Sequence, residues 1–148
     1  KASLFMHEMA ALLDELPVAL DRFGRVTSSP GLAAPHHQSV NLKQQGLLPL
    51  ISAARLMCVR HRCHEMSTRA RLVALDQAGE LSAAQSALLV AAFERLQQRL
   101  LDQQRYNKVH GHAADGWVDM QRLRDDERLL LKFDLQQIKA FVQQARAA

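Results

Sequence analysis

Four polar side chains interrupt otherwise apolar helical stripes: Arg55, Arg99, Gln103 and Asp134. At about 100° per residue, Leu47, Ile51, Ala54 and Cys58 share one face, and Arg55 falls between Ile51 and Val59 inside that arc. Arg99 and Gln103 fall inside the arc of Leu88, Leu89, Ala92, Phe93, Leu96 and Leu100, and Asp134 inside that of Leu130, Leu131, Ile138, Phe141 and Val142. A buried charge is costly unless it is paired and hydrogen-bonded. Two chemistries answer that cost. One is a closed internal network, with Asp134 paired to Arg55 or Arg99 and Gln103 bridging. The other is the floor of a pocket for a phosphate- or carboxylate-bearing ligand, gripped by bidentate arginine hydrogen bonds. Lys43, Thr68 and Arg71 could join such a pocket from neighbouring segments. Thr68 opens a helix, where free N–H groups attract anions, although simple capping is its alternative role.

Other candidate chemistry is thinner. Cys58, His61, Cys63 and His64 crowd into seven residues, whereas zinc sites usually draw ligand pairs from separated elements, so no metal site is assigned. His36-His37 and His110-Gly111-His112 fall in expected loops and read as solvated. No Gly-rich phosphate loop, G-x-S-x-G elbow or H-E-x-x-H occurs. Asp125-Asp126-Glu127 opens a helix, where acidic residues suit the dipole.

The elements that must position these residues read as helices. Phe5, Met9, Leu12, Leu13 and Leu16 stripe a first helix over 2–23, bent at Pro17 and ended by Gly24. The Ser-, Pro-, Gly- and His-rich stretch 26–39 reads as a connection, and 40–42 as a short extended arm. Further helices are predicted over 47–60, with Pro49 in the first turn, over 69–78 after a Ser67 or Thr68 cap, over 83–106 after Ser82 with Gln85 in the capping-box position, and over 125–146. Residues 107–124 read as a long loop. The expected fold is all-α: one antiparallel bundle of about five helices with two long connections.

Composition agrees. The chain has 148 residues, of which 48% are hydrophobic and only 5% aromatic, enough for one packed core and more suited to helix than strand. The net charge of +4 admits an anionic partner, but no long Lys/Arg block marks a nucleic-acid face. No apolar run reaches the ~18 residues of a membrane span. Two cysteines without a secretory pattern suit reduced thiols in a cytoplasmic protein. The chain opens at Lys1 without an initiator Met and is expected to be a C-terminal fragment of a longer protein.

The residues also carry a resemblance. Asn41-Leu-Lys, Gly46, Leu47-Leu-Pro-Leu-Ile, Ala53-Ala-Arg, Ser67-Thr-x-x-Arg-Leu, Gly79-Glu-Leu-Ser and Arg99-Leu-x-x-Gln, in that order, resemble the helical substrate-binding-type domain at the C-terminus of bacterial nucleotidyltransferase-like signal-transduction proteins. Proteins of that family often carry cyclic-nucleotide-binding and CBS modules upstream, and their catalytic part is similar to the uridylyltransferase that modifies the PII nitrogen-signalling protein. The family more often has Asp where this chain has Asn41. The resemblance implies an accessory domain that binds substrate or closes over nucleotide held by an upstream catalytic domain, its main partner. Mg²⁺ and nucleotide would belong to that catalytic half, which needs a Gly-Ser turn and paired strand carboxylates. Neither motif occurs here, so no nucleotide transfer by the fragment alone, and no cofactor of its own, is expected. The site residues expected from the helical pattern and its neighbouring segments are Lys43, Arg55, Thr68, Arg71, Arg99 and Gln103. The competing expectation is a protein-interaction or homodimerisation module with no small-molecule site.

Overall fold

The computed structural model describes residues 2–30 and 38–147. His36 and His37, read as solvated, lie outside the described residues. Helix α1 spans Ala2–Asp14, α2 Leu48–Arg60, α3 Thr68–Gln77, α4 Ala83–Val109 and α5 Asp125–Ala147. The fold is predominantly helical, as expected. Strands β1 (Ser29–Pro30), β2 (Gln38–Asn41) and β3 (Trp117–Asp119) form one small antiparallel sheet in that order, with Val40 opposite Val118 and Asn41 opposite Trp117. Strand β2 overlaps the expected extended arm at 40–42 and pairs with β3, inside the stretch expected to be a long loop.

Local chemistry sets most boundaries. Pro17 disfavours helical backbone just before it, and α1 stops at Asp14 instead of continuing to residue 23. Asp21 then builds a tight turn by accepting the Phe23 and Arg25 backbone N–H groups at 2.8 and 3.0 Å, and Leu20 bridges Val26. Ser67, not Thr68, caps α3 through Ala70 N, and Ser82 caps α4 through Gln85 N. Helix α4 runs three residues beyond its expected end, giving 27 residues and a rod of ~40 Å. A single π-helical turn, Lys43–Leu47, joins β2 to α2. Asn41 Oδ1 starts that turn by accepting Gln44 N at 3.0 Å, a role that an aspartate would fill equally well.

Long-range contacts give the packing directions. Helices α4 and α5 run antiparallel, since Gln85 bonds Gln144 and Arg95 bonds Asp134. Helix α2 runs parallel to α5: Gly46 lies against Leu135, and Arg60 donates to the Ala145 carbonyl. The core between them holds Leu50, Leu56, Met57, Leu89, Leu96, Leu135, Ile138 and Phe141, all nearly inaccessible to solvent. On α2 the buried arc is centred on Leu50, Ala53, Ala54 and Met57. Arg55 lies about 140° from Leu50 at 100° per residue and is exposed. The buried face is therefore rotated away from the expected stripe through Ile51, which is only half-buried.

Candidate functional site

One stripe of α4 carries Arg95, Arg99, Asp102, Gln103 and Tyr106, which fall within about 100° of one another in helical projection. It meets the first half of α5 and the segment β3–Arg122. At its start, Arg95 grips Asp134 in a bidentate pair, Nε to Oδ2 at 2.8 Å and Nη2 to Oδ1 at 2.7 Å. Asp134 is 1% exposed. Its partner is therefore Arg95, not Arg55 or Arg99 as the sequence reading had it. The hydrogen bonds from Asp134 hold the Arg95 guanidinium above its usual range.

One turn further, Arg99 forms an ion pair with Glu127. Glu127 also accepts the Arg124 backbone N–H at 3.0 Å, capping the start of α5. That N–H is the main cause holding the Glu127 carboxyl below its ordinary value, helped by the charges of Arg99 and Arg124 and opposed by desolvation. The acidic opening of α5 thus does more than complement a helix dipole.

Gln103 follows, buried at the junction of helix and sheet. Its Oε1 accepts Asp119 N at 3.0 Å and Arg122 Nη1 at 3.2 Å, while its Nε2 donates to Asn107 Oδ1 at 2.9 Å. Asn107 Nδ2 donates in turn to the Ala113 carbonyl at 3.0 Å. Arg122 lies over the Tyr106 ring, 3.9 Å from its centroid, and His110 stacks on that ring at 4.0 Å. Two groups at that distance require opposite faces, so Tyr106 is sandwiched.

Two clefts open along this stripe. A polar one of about 100 Å³ is lined by Arg99, Gln103, Arg122, Leu123 and Glu127. A wider one of about 440 Å³ is lined by Arg105, Tyr106, Val109 and His110. They share Asp102 and Arg122. Arg99 is offset by Glu127 and Arg105 lies 4.0 Å from Asp102. Arg122 is exposed and its described contacts are a neutral amide and a ring, so its remaining N–H groups can receive a phosphate or carboxylate. The stripe's exposed guanidinium and amides suit binding and orienting an anionic group.

Of the expected site residues, Arg99 and Gln103 come together here. Lys43 is exposed at the start of the π-turn, near Gly116. Arg55 is exposed on α2 and lines neither cleft. Thr68 is buried in the first turn of α3, and Arg71 donates to the Glu65 carbonyl at 3.0 Å. Helix α3 packs where Ser86 and Glu94 project from α4, roughly the opposite side from Arg95 and Arg99. The six residues therefore do not form one pocket. Arg95, Tyr106, Arg122 and Glu127 went unrecognised. Arg95 and Arg99 are spaced i,i+4, which could have signalled the stripe; Arg122 gave no signal in a segment read as loop.

Around the cysteines, His61 Nδ1 faces Glu80 Oε1 at 3.3 Å. Among the described residues no group of three or more His, Cys, Asp or Glu is placed to hold a metal, and no helix is long and apolar enough to cross a membrane. The family described as "putative nucleotidyltransferase substrate binding domain" matches residues 3–148. No curated protein and no solved structure matches the chain.

Proposed function

We propose, since the chain belongs to the family of putative nucleotidyltransferase substrate-binding domains, that it is the accessory domain of a PII-uridylyltransferase-like signalling protein and receives the anionic part of a nucleotide or acceptor at the α4 stripe. The nucleotide chemistry and its Mg²⁺ belong to a catalytic domain of the same protein. The observation that carries the reading is Arg122: an exposed guanidinium fixed by Gln103 and Tyr106 at the junction of two contiguous clefts. Gln103 and the Tyr106 ring preorganise it, so little side-chain entropy is lost on binding. Arg99 lies across the smaller cleft, and Lys43 stands on the sheet side.

With half the composite site contributed by this domain, affinity for free nucleotide is weak, roughly millimolar, near −4 kcal/mol. An NMR titration with ATP and UTP tests the reading. Saturable shifts around Gln103, Tyr106 and Arg122, lost in a folded Arg122→Gln variant, support it. Scattered shifts removed by moderate salt are screened surface attraction and sink it. A second reading, an interaction or homodimerisation module, draws on the cleft of about 460 Å³ among Val26, Met120 and Leu129, rimmed by Arg25, Arg128 and Lys132. Concentration-dependent mass in sedimentation equilibrium, abolished by Leu129→Glu, distinguishes it from the first.

A further inference from the structure

The last turn of α2 ends in a left-handed cap. Arg62 takes φ 57°, its N–H donates to the Val59 carbonyl at 3.4 Å, and Cys63 N donates to the Cys58 carbonyl at 2.8 Å. In this motif the residue after the left-handed position packs back on the third residue from the helix end. Here both are cysteines. Standard bond lengths and the 2.8 Å hydrogen bond hold their Cα atoms to at most about 6.7 Å, inside the ~4.4–6.8 Å that disulfides span. Cys63 packs against the core cluster that contains Cys58. Cys58 is sealed inside the core, 3.8 Å from the Arg71 carbonyl, whereas Cys63 is half-buried. Burial first, and the Cys63 contact second, push the Cys58 thiol up to about 12. Cys58 is therefore protonated, and the sulfur an oxidant meets first is the outer one.

We infer that Cys58 and Cys63 form a dithiol oxidation site, which a hydroperoxide converts to an intramolecular disulfide. The Cys63 thiolate attacks one peroxide oxygen, the O–O bond breaks, and alkoxide leaves and is protonated to the alcohol. Cys63 is now a sulfenic acid. The Cys58 sulfur attacks the Cys63 sulfur, the S–O bond breaks, and the departing hydroxide takes the Cys58 proton as water. Overall, two thiols and one hydroperoxide give a disulfide, an alcohol and water; the dithiol supplies the two electrons. Cys58 is the resolving residue, which halts Cys63 before irreversible oxidation. The site is independent of the nucleotide reading, since it lies at the α3 end of α2.

The test is intact mass under non-reducing conditions after treatment with hydrogen peroxide. The expected result is loss of two hydrogens from the monomer, a free-thiol count falling from two to none, and tryptic peptides 56–60 and 63–69 linked until a reductant is added. Cys58→Ser should accumulate sulfenic acid on Cys63, trapped by dimedone, and Cys63→Ser should leave Cys58 as a thiol. Sulfinic acid at Cys63 in the unmutated chain without the internal link, or covalent dimers in its place, overturns the inference.

Discussion

The pair Arg95–Asp134 has two unequal members: Asp134 is 1% exposed and the Arg95 side chain 34%. Removing the arginine strands a carboxylate in the core, whereas removing the aspartate frees a guanidinium that can swing into water. Arg95→Ala should therefore cost about 3–5 kcal/mol, as for breaking a buried pair, and Asp134→Ala about 2 kcal/mol, as for a lost charged hydrogen bond. Urea unfolding of the two variants gives the order directly; an inverted order would mean that Asp134 is not the member bearing the desolvation. Glu127 provides a pH-dependent counterpart. Its folded-state pKa is depressed below the ordinary 4.5, so the unfolded chain takes up the proton first. Its stabilisation is full above that ordinary value and is lost as pH falls through the folded one. Glu127→Gln should flatten the acid-side decline in the urea midpoint relative to the unmutated protein, leaving only the contributions of groups such as Asp21 and Asp126, which are lowered too.

Among the elements, the joint between β3 and the π-turn is the tightest. A Cβ on Gly116 would lie 2.6 Å from Asn41 Oδ1 and 2.7 Å from Lys43 Cβ. The first contact would push on the side chain that caps the turn, and the second sits at a backbone-proximal carbon with little freedom to move. Gly116→Ala is expected to cost about 1–3 kcal/mol, in the range for overpacking, and to shift the emission of the adjacent Trp117, the only tryptophan. Unchanged thermal unfolding and emission would show that the joint has room for a methyl group. The joint also explains what could be read beforehand and what could not. The caps at Ser67 and Ser82 act over three residues and were visible in the sequence. Pairing of β2 with β3 joins residues nearly eighty apart, through two strands too short to show alternation. Pro17 was visible too, but the apolar residues Leu20 and Phe23 beyond it suggested a continuing face; in the structure Leu20 is buried through a turn and Phe23 is 67% exposed.

For the whole molecule, the all-α architecture followed from helical periodicity, because each helix hides one face and that face is written locally. The mutual rotation of two helices is not local. Asp134 was recognised as needing a cation, yet its choice among Arg55, Arg95 and Arg99 depends on how α5 is rotated against α4. Arg55 shows the same limit: an arc drawn on one helix does not say how many neighbours cover it, and α2 leaves Arg55 in water. The cleft needed both kinds of distant information, since it is assembled from a helix, a strand that pairs far back in the chain, and a 3₁₀ turn at Met120–Arg122.

The bonds through Gln103 and Asn107 have a direction. Each amide accepts on one side and donates on the other, from Asp119 and Arg122 down to the Ala113 carbonyl. Changing Gln103 to glutamate would set carboxylate oxygen against the Asn107 oxygen, and changing Asn107 to aspartate would set carboxylate oxygen against the Ala113 carbonyl. Neither position can drift alone without stranding a buried group. Over evolutionary time the two amides are thus tied to each other and to the backbone they serve, and the way open to descendants of this sequence is to replace the relay as a unit.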